Sequence, residues 1–225
     1  GIILARHLEN YTTGLHCLLA SMLIMALFSY LLTANNPHFS QKHEETNASK
    51  TRLDIVFIWI SLFLTQVSFG AFYNFFTIYE TDHGITLETT SYLWAFGVIC
   101  EIILFYFQAY FLKRFSLLSL VKLCTFLTII RWLLLFLFPA SLMMSYTSQS
   151  FHAFSFALHH TAALSPLYIF YTNKKLAAQF YYGITFGLGG FVGAFVAGYF
   201  YGEFLYLYAA VVSLFAFLTL FLFKK

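Results

Sequence analysis

Apolar residues in this chain come in runs of about twenty or more, broken by short polar connections. The runs cover roughly 13–33, 53–79, 91–112, 116–138, 141–170 and 175–200, and a seventh, 204–223, leads to the C-terminus. A bilayer core of about 30 Å is spanned by about 20 helical residues at 1.5 Å each, so every run is long enough to cross it. Backbone polar groups in hydrocarbon must be paired within their own segment, which leaves helices as the way to present such runs to lipid. The short alternating strands of a membrane barrel are absent. The pattern predicts an all-α, polytopic transmembrane helical bundle. Residues 1–5 read as the tail of a further span. The chain opens on Gly1 and an apolar turn rather than on Met and a basic leader, so the expectation is a fragment.

Composition strengthens this picture. Sixty per cent of residues are apolar and 9% charged, with a mean hydropathy of +0.77. A water-soluble domain carries about a quarter charged residues, so most of this surface is expected to face lipid. The 30 Phe and 16 Tyr suit lipid contact and interfacial belts. A net charge of +3, scattered along the chain, gives no footprint for nucleic acid. Cys17, Cys100 and Cys124 all fall inside apolar runs without metal-ligand spacing and read as small buried hydrophobes. No cofactor and no metal is called for.

Charge in the connections sets an orientation. Lys42, Lys50 and Arg52, then Lys113 and Arg114, Lys174 and Lys175, and the terminal Lys224 and Lys225 fall on one side. Alternate connections carry Glu9, then Glu80, Asp82 and Glu88, then Glu203, with Arg6 as their one basic residue. The positive-inside rule then places the C-terminus in the cytoplasm, and the expected location is a bacterial cytoplasmic (inner) membrane. The polar link 34–52 reads as a solvated cytoplasmic loop. It separates residues 1–33 from 53–225. The glycosylation-type triplets at Asn10 and Asn47 are short enough to arise by chance, and the second lies on the cytoplasmic side of this topology.

Charged side chains midway along a span cost about 2.5–3.5 kcal/mol on insertion scales, so they mark a cavity or a partner. Glu101 lies midway along 91–112, Arg131 in the outer half of 116–138, and His152 about eleven residues into 141–170. At 1.5 Å per residue the three fall within about a helical turn in depth, so Glu101 and Arg131 can neutralise each other with His152 between them. Lys122 is near enough to its span end to snorkel. Polar stripes extend the cluster. Ser145, Ser148, Gln149, His152, Ser155 and His159 share one helical face; Trp94, Glu101 and Gln108 share another; Gln66, Gly70, Tyr73, Asn74 and Thr77 share a third. Three such stripes at matching depth describe a hydrated pathway. The alternative is a polar cluster that only glues helices together, and His160, off the stripe, fits that role. Gly183, Gly187, Gly189, Gly190, Gly193, Gly198 and Gly202 form small-residue pairs suited to close packing, or to a helix that rocks.

These residues resemble the major facilitator superfamily, specifically the lactose-permease-like proton symporters and their phenylpropionate and nucleoside permease relatives. The resemblance is carried by GAFYNFFTIYETDHG (70–84), SYLWAFGVICEIILF (91–105), LTIIRWLLLF (127–136) and SFHAFSFALHH (150–160). It implies that 13–33 is the sixth helix and 53–225 the C-terminal six-helix half of such a transporter. It also implies that Glu101, Arg131 and His152 are the cavity-lining carboxylate, arginine and histidine of helices eight, nine and ten. FLKRFS (111–116) is similar to a decayed form of the cytoplasmic loop motif between helices eight and nine. Two positions depart from the sugar symporters. The proton-carrying glutamate three residues after the histidine is replaced by Ser155, and the seventh-helix carboxylate has no counterpart beside Tyr73, where Asn74 stands. Any coupled proton must then reside on Glu101 or His152, and the phenylpropionate branch is favoured over sugar transport.

The leading expectation is a secondary active transporter rather than an enzyme: a proton-linked uptake permease for an aromatic acid, nucleoside or sugar-like solute, acting by alternating access. Its partners would be the solute, protons, lipid and the missing N-terminal helices. Alternatives are a channel, a non-transporting scaffold or remnant, or a membrane metalloenzyme built on His152, His159 and His160. The other histidines (His7, His16, His38, His43 and His83) lie mostly in or near connections.

Overall fold

The computed structural model describes residues 11–35 and 53–222. The expected helix tail at 1–5 and most of the polar link lie outside the described residues. So do Arg6, Glu9, Asn10, Lys42, Asn47, Lys50, Arg52, Lys224 and Lys225. Among the described residues the chain is all helix and turn, with no strand. Helix α1 (Tyr11–Asn35) belongs to a unit of its own, and its apolar centre is Leu19–Phe28.

Six helices form the second unit: α2 (Leu53–Asp82), α3 (Leu87–Arg114), α4 (Leu117–Leu137), α5 (142–170), α6 (Lys174–Tyr199) and α7 (Leu205–Leu222). All but α5 are long and apolar enough to cross a membrane. Helix α5 has the length, but its polar stripe lowers its hydropathy. Short turns reverse the chain between successive helices. Lys113, Arg114, Lys174 and Lys175 therefore collect at one end of the bundle, and Asp82, Glu88 and Glu203 at the other. The helix ends follow local chemistry. Helix α2 stops where Gly84 adopts φ +87°, with Gly84 N–H donating to Thr81 O (3.1 Å) and Ile85 N–H to Glu80 O (3.0 Å), a Schellman closure. The Thr86 hydroxyl caps α3 by accepting from Thr89 N–H. Glu88 opens that helix and Lys113 and Arg114 close it, matching its dipole.

Most of the main spatial neighbours are not consecutive in the chain. Helix α2 packs on α6 and α7, α7 on α4, α4 on α5, and α5 on α3. Two apolar cores result. One joins Leu62, Leu120, Cys124, Leu158 and Leu167; the other joins Phe69, Phe72, Phe76, Trp132 and Tyr206. The outer faces stay apolar, as with Ile102, Ile103, Tyr106 and Phe107 on α3, which suits helices of a membrane-spanning bundle. Buried hydroxyls on Thr65, Ser68, Thr125 and Thr128 donate to carbonyls one turn back in their own helices.

Two helices widen locally. In α5 an α-helical part (Leu142–His152) passes through a π-helical turn (Ala153–Leu158) into a second α-helical part (His159–Phe170). Helix α6 does the same, with its π segment at Tyr182–Gly189. Helices α2 and α6 touch backbone to backbone. A Cβ built on Gly70 would lie 2.1 Å from Gly193 C, and one on Gly193 would lie 2.5 Å from Val67 O. A Cβ on Gly189 would meet Phe63 O at 3.2 Å. Gly183 and Gly190, expected to pack, would carry a Cβ into open space; Gly187 meets only its own Tyr182 O, and Gly198 the ring of Phe75.

Candidate functional site

Arg131 on α4 is fully buried and anchors a polar cluster between the two apolar cores. Its guanidinium lies over the rings of Phe72 (4.1 Å), Trp132 (4.6 Å) and Phe69 (5.5 Å), whose π faces favour a buried cation. Its nitrogens reach α5: Nη1 donates to His152 Nδ1 at 2.8 Å and to Ser155 Oγ at 3.4 Å, and Nη2 to Gln149 Oε1 at 3.3 Å. On the far side of the imidazole, His152 Nε2 stands 3.8 Å from Glu101 Oε1 on α3. Ser148 Oγ donates to the Arg131 carbonyl at 3.3 Å.

The order of these groups fixes the histidine tautomer. Arginine has donors and no acceptor, so Nδ1 must offer its lone pair to Nη1. The proton of a neutral imidazole then sits on Nε2, facing Glu101. The result is a relay running guanidinium, imidazole, carboxyl, with charges of opposite sign at its ends. At 3.8 Å the last link is longer than a hydrogen bond, and Glu101 Oε1 has no hydrogen-bond partner. Arg131 Nε and Gln149 Nε2 are likewise buried without one. Chains of three polar groups with free donors and acceptors at their edges are where a small polar molecule or water can be held.

Helix α5 positions three of these side chains through its polar stripe. His152 closes the first α-helical part, directly before the π turn, and its ring stacks on Phe156 at 5.4 Å. π turns are common at functional sites because the extra residue re-aims neighbouring side chains. Gly97, one turn before Glu101 on α3, completes the packing. A Cβ there would come within 2.9 Å of Gln149 Oε1 and into ordinary contact with His152 Cδ2 at 3.6 Å, so glycine lets the Gln149 amide stand where it meets Arg131.

A model of the MFS_1 like family matches residues 1–210. The chain belongs to the MFS_1 like family. It is thereby a member of the major facilitator superfamily, an integral membrane protein and a membrane transporter of that kind. No curated protein and no solved structure matches it.

In this MFS_1 like protein the other residues expected along the pathway are more dispersed. Gln149 and Ser155 join the cluster through Arg131. Tyr73 is half exposed and stacks on Phe69 at 5.7 Å, at the edge of the site. Asn74 is exposed and donates to its own helix at Gly70 O. Trp94 donates from Nε1 to Thr77 Oγ1 at 3.0 Å, tying α3 to α2. Gln108 accepts from Thr161 Oγ1 at 2.9 Å, two turns along α3 toward the Lys113 end. Gln66, Ser155, His159 and His160 line a small void of about 10 Å³ that adjoins the cluster at Ser155, and His159 Nε2 is buried without a partner. His160 is held by the hydroxyls of Tyr181 (3.3 Å) and Tyr182 (3.2 Å). Lys122 extends its ammonium over the ring of Phe221 at 4.1 Å.

Two residues escaped the sequence reading. Gly97 carries no chemistry of its own and shows only through the side chains it admits. Glu80 was assigned to a connection, whereas α2 continues to Asp82 and carries Glu80 into the bundle, where it is fully buried and accepts from Ser145 Oγ at 3.0 and 3.1 Å. Three further helical residues after Tyr79 make the difference.

Proposed function

We propose that this transporter is a proton-linked uptake permease for a small organic solute, working by alternating access. The observation that carries the reading is the relay from Arg131 through His152 to Glu101, built from three different helices and ending in polar atoms with no partner. Glu101 is the group whose protonation tracks solute occupancy. Arg131 balances its charge when the site is empty and is free to engage a solute carboxylate through Nε. His152 passes the effect of one to the other. Tyr73, Asn74, Gln66, Trp94 and Gln149 line the approach to this centre, and His159 and Gln108 extend it toward the lysine-rich end.

Residues 53–225 form one six-helix half of the transporter, and 1–33 belong to the end of the preceding half. A companion half supplies the second wall and much of the selectivity. Aromatic rings around the guanidinium support an aromatic acid over a nucleoside or a sugar, in keeping with the phenylpropionate branch. The basic end of the bundle lies in the cytoplasm of a bacterial inner membrane, by the positive-inside rule. Covalent chemistry has no part in this cycle. The roles of Gly70, Gly189 and Gly193 are to hold α2 against α6.

The test is uptake into membrane vesicles of the complete transporter under an imposed pH gradient, with labelled 3-phenylpropionate, uridine and lactose as probes. Wild type is expected to accumulate one of them. Glu101→Gln is expected to lose gradient-driven accumulation while retaining solute exchange at equal pH. Undiminished accumulation in Glu101→Gln refutes the assignment of the proton to Glu101, and accumulation of none of the three probes refutes the solute classes.

A further inference from the structure

Glu80 has no place in the relay, yet it is the most deeply buried carboxyl among the described residues, with 0% exposure. Ser145 Oγ lies within hydrogen-bond distance of both carboxyl oxygens. The groups around it are neutral or acidic. Tyr79, its neighbour on α2, donates its hydroxyl to Leu135 O on α4, and Tyr206 on α7 is fully buried with a hydroxyl that has no hydrogen-bond partner. Toward the end of the bundle come Tyr201, which donates to Asp82, and Glu203, which is exposed. The His83 ring lies tilted against Tyr79 at 4.2 Å, and its Nδ1 is engaged by Tyr79 O at 2.7 Å. Among the described residues no Lys, Arg or His lies within ion-pair distance of Glu80.

An ionised carboxylate in this setting would face hydroxyls and further acids with no counter-ion, the arrangement that burial disfavours most. The neutral acid fits it: an oxygen accepts from Ser145 Oγ, and no buried charge is left without a counter-ion. Ser145 also ties α2 to α5, and it stands on the stripe that leads through Ser148 and Gln149 to His152, about 10 Å along the helix.

We propose that Glu80 is a second proton-binding site and that its neutral form latches α2 to α5 at the Asp82–Glu203 end of the bundle. Binding converts carboxylate and solvent proton to the acid. Release returns the proton to water at that end, and the carboxylate then needs hydration that the closed packing of Ser145 and Tyr206 cannot give, so the latch opens. The inference deepens the proton-linked reading and rests on it for its part in the transport cycle. The chemistry of the site stands on burial and contacts alone.

Infrared difference spectroscopy of the full chain in lipid nanodiscs, recorded across a pH titration, tests it without any substrate. The carbonyl stretch of a protonated carboxyl is expected at neutral pH. It should disappear in Glu80→Gln, persist in Glu101→Gln, decline as pH rises, and move to higher frequency in Ser145→Ala, which removes the donor. Glu80→Asp serves as a second variant and should shift the band rather than abolish it. A band unchanged by Glu80→Gln and Glu80→Asp, or absent over the whole range in which the protein is folded, overturns the proposal. The band present in a protein without gradient-driven uptake would support this site and count against the transport reading, so the two fail separately.

Discussion

Replacing Gly70 with alanine tests the contact on which the bundle depends most directly. A Cβ at this position would sit 2.1 Å from Gly193 C, 2.3 Å from Gly193 O and 2.6 Å from Gly193 Cα, all backbone atoms that no rotamer change can move. Ordinary contact begins at 3.4 Å, so α2 and α6 must part by about 1.3 Å at their crossing. A gap of 0.5–1 Å already forfeits about a quarter to a half of the dispersion energy of the atoms lining it. Overpacking of this kind costs about 1–3 kcal/mol, and the backbone-to-backbone geometry places Gly70→Ala at or beyond the upper figure. Alanine returns about 1 kcal/mol through helix propensity, which leaves a net loss of about 2 kcal/mol or more. For a chain of this size that corresponds to a fall in Tm of roughly 4–8 °C. Gly190→Ala on α6 is the matched control. Nothing lies within 4 Å of its Cβ, so it should be neutral or slightly stabilising. Thermal unfolding of both variants in the same detergent, followed by loss of the monodisperse species, gives the comparison. A Gly70→Ala protein that melts with Gly190→Ala would refute the close contact between α2 and α6.

Three further outcomes follow from the same geometry. Removing the guanidinium with Arg131→Met should destabilise the bundle by about 3–5 kcal/mol, as breaking a buried charge network does, while Arg131→Met combined with Glu101→Gln should recover part of that loss; strictly additive melting temperatures in a double-mutant cycle would show that the two ends of the relay are uncoupled. Gly97→Ala meets only the end of the flexible Gln149 side chain, so it should cost less than about 1.5 kcal/mol in thermal stability while displacing Gln149 Oε1 from Arg131 and weakening solute uptake; unaltered uptake would sink the claim that Gly97 makes room for the site. Gly84→Ala forces a Cβ into the φ +87° turn and should lower stability by about 1–2 kcal/mol, read in the same melts, whereas Thr81→Ala, which leaves the backbone alone, should cost less.

Much of the bundle was legible because lipid imposes a length and a composition that few other environments demand. The runs at 91–112 and 116–138 differ from α3 and α4 by a few residues at each end. The convergence of Glu101, Arg131 and His152 was legible for a related reason: ionisable groups deep in apolar helices have few places to go, and depth alone brought them level. Rotation was harder to read. A period of 3.6 predicts one continuous stripe from Ser145 to His159, but the π turn at Ala153–Leu158 inserts extra backbone and turns His159 from the Arg131 cluster toward Gln66 and His160. Nothing in AFSFAL announces that widening. Gly183 and Gly190 look as suited to close packing as Gly193, and the difference lies in which side of α6 meets α2. Glu80 was misplaced because a carboxylate near a span end ordinarily marks the start of a loop, and here the buried hydroxyl of Ser145 reverses that expectation.

The meeting of Gly70 with Gly193 has a mechanical consequence. Two helices whose main chains interlock at a crossing have no side-chain cushion to shear, so α2 and α6 must travel as one pillar. Relative movement within this half is then left to contacts padded by side chains, such as that between α3 and α5, where Gln108 accepts from Thr161 and the imidazole faces the acid across 3.8 Å. The widest joint in the polar relay lies across such a padded contact.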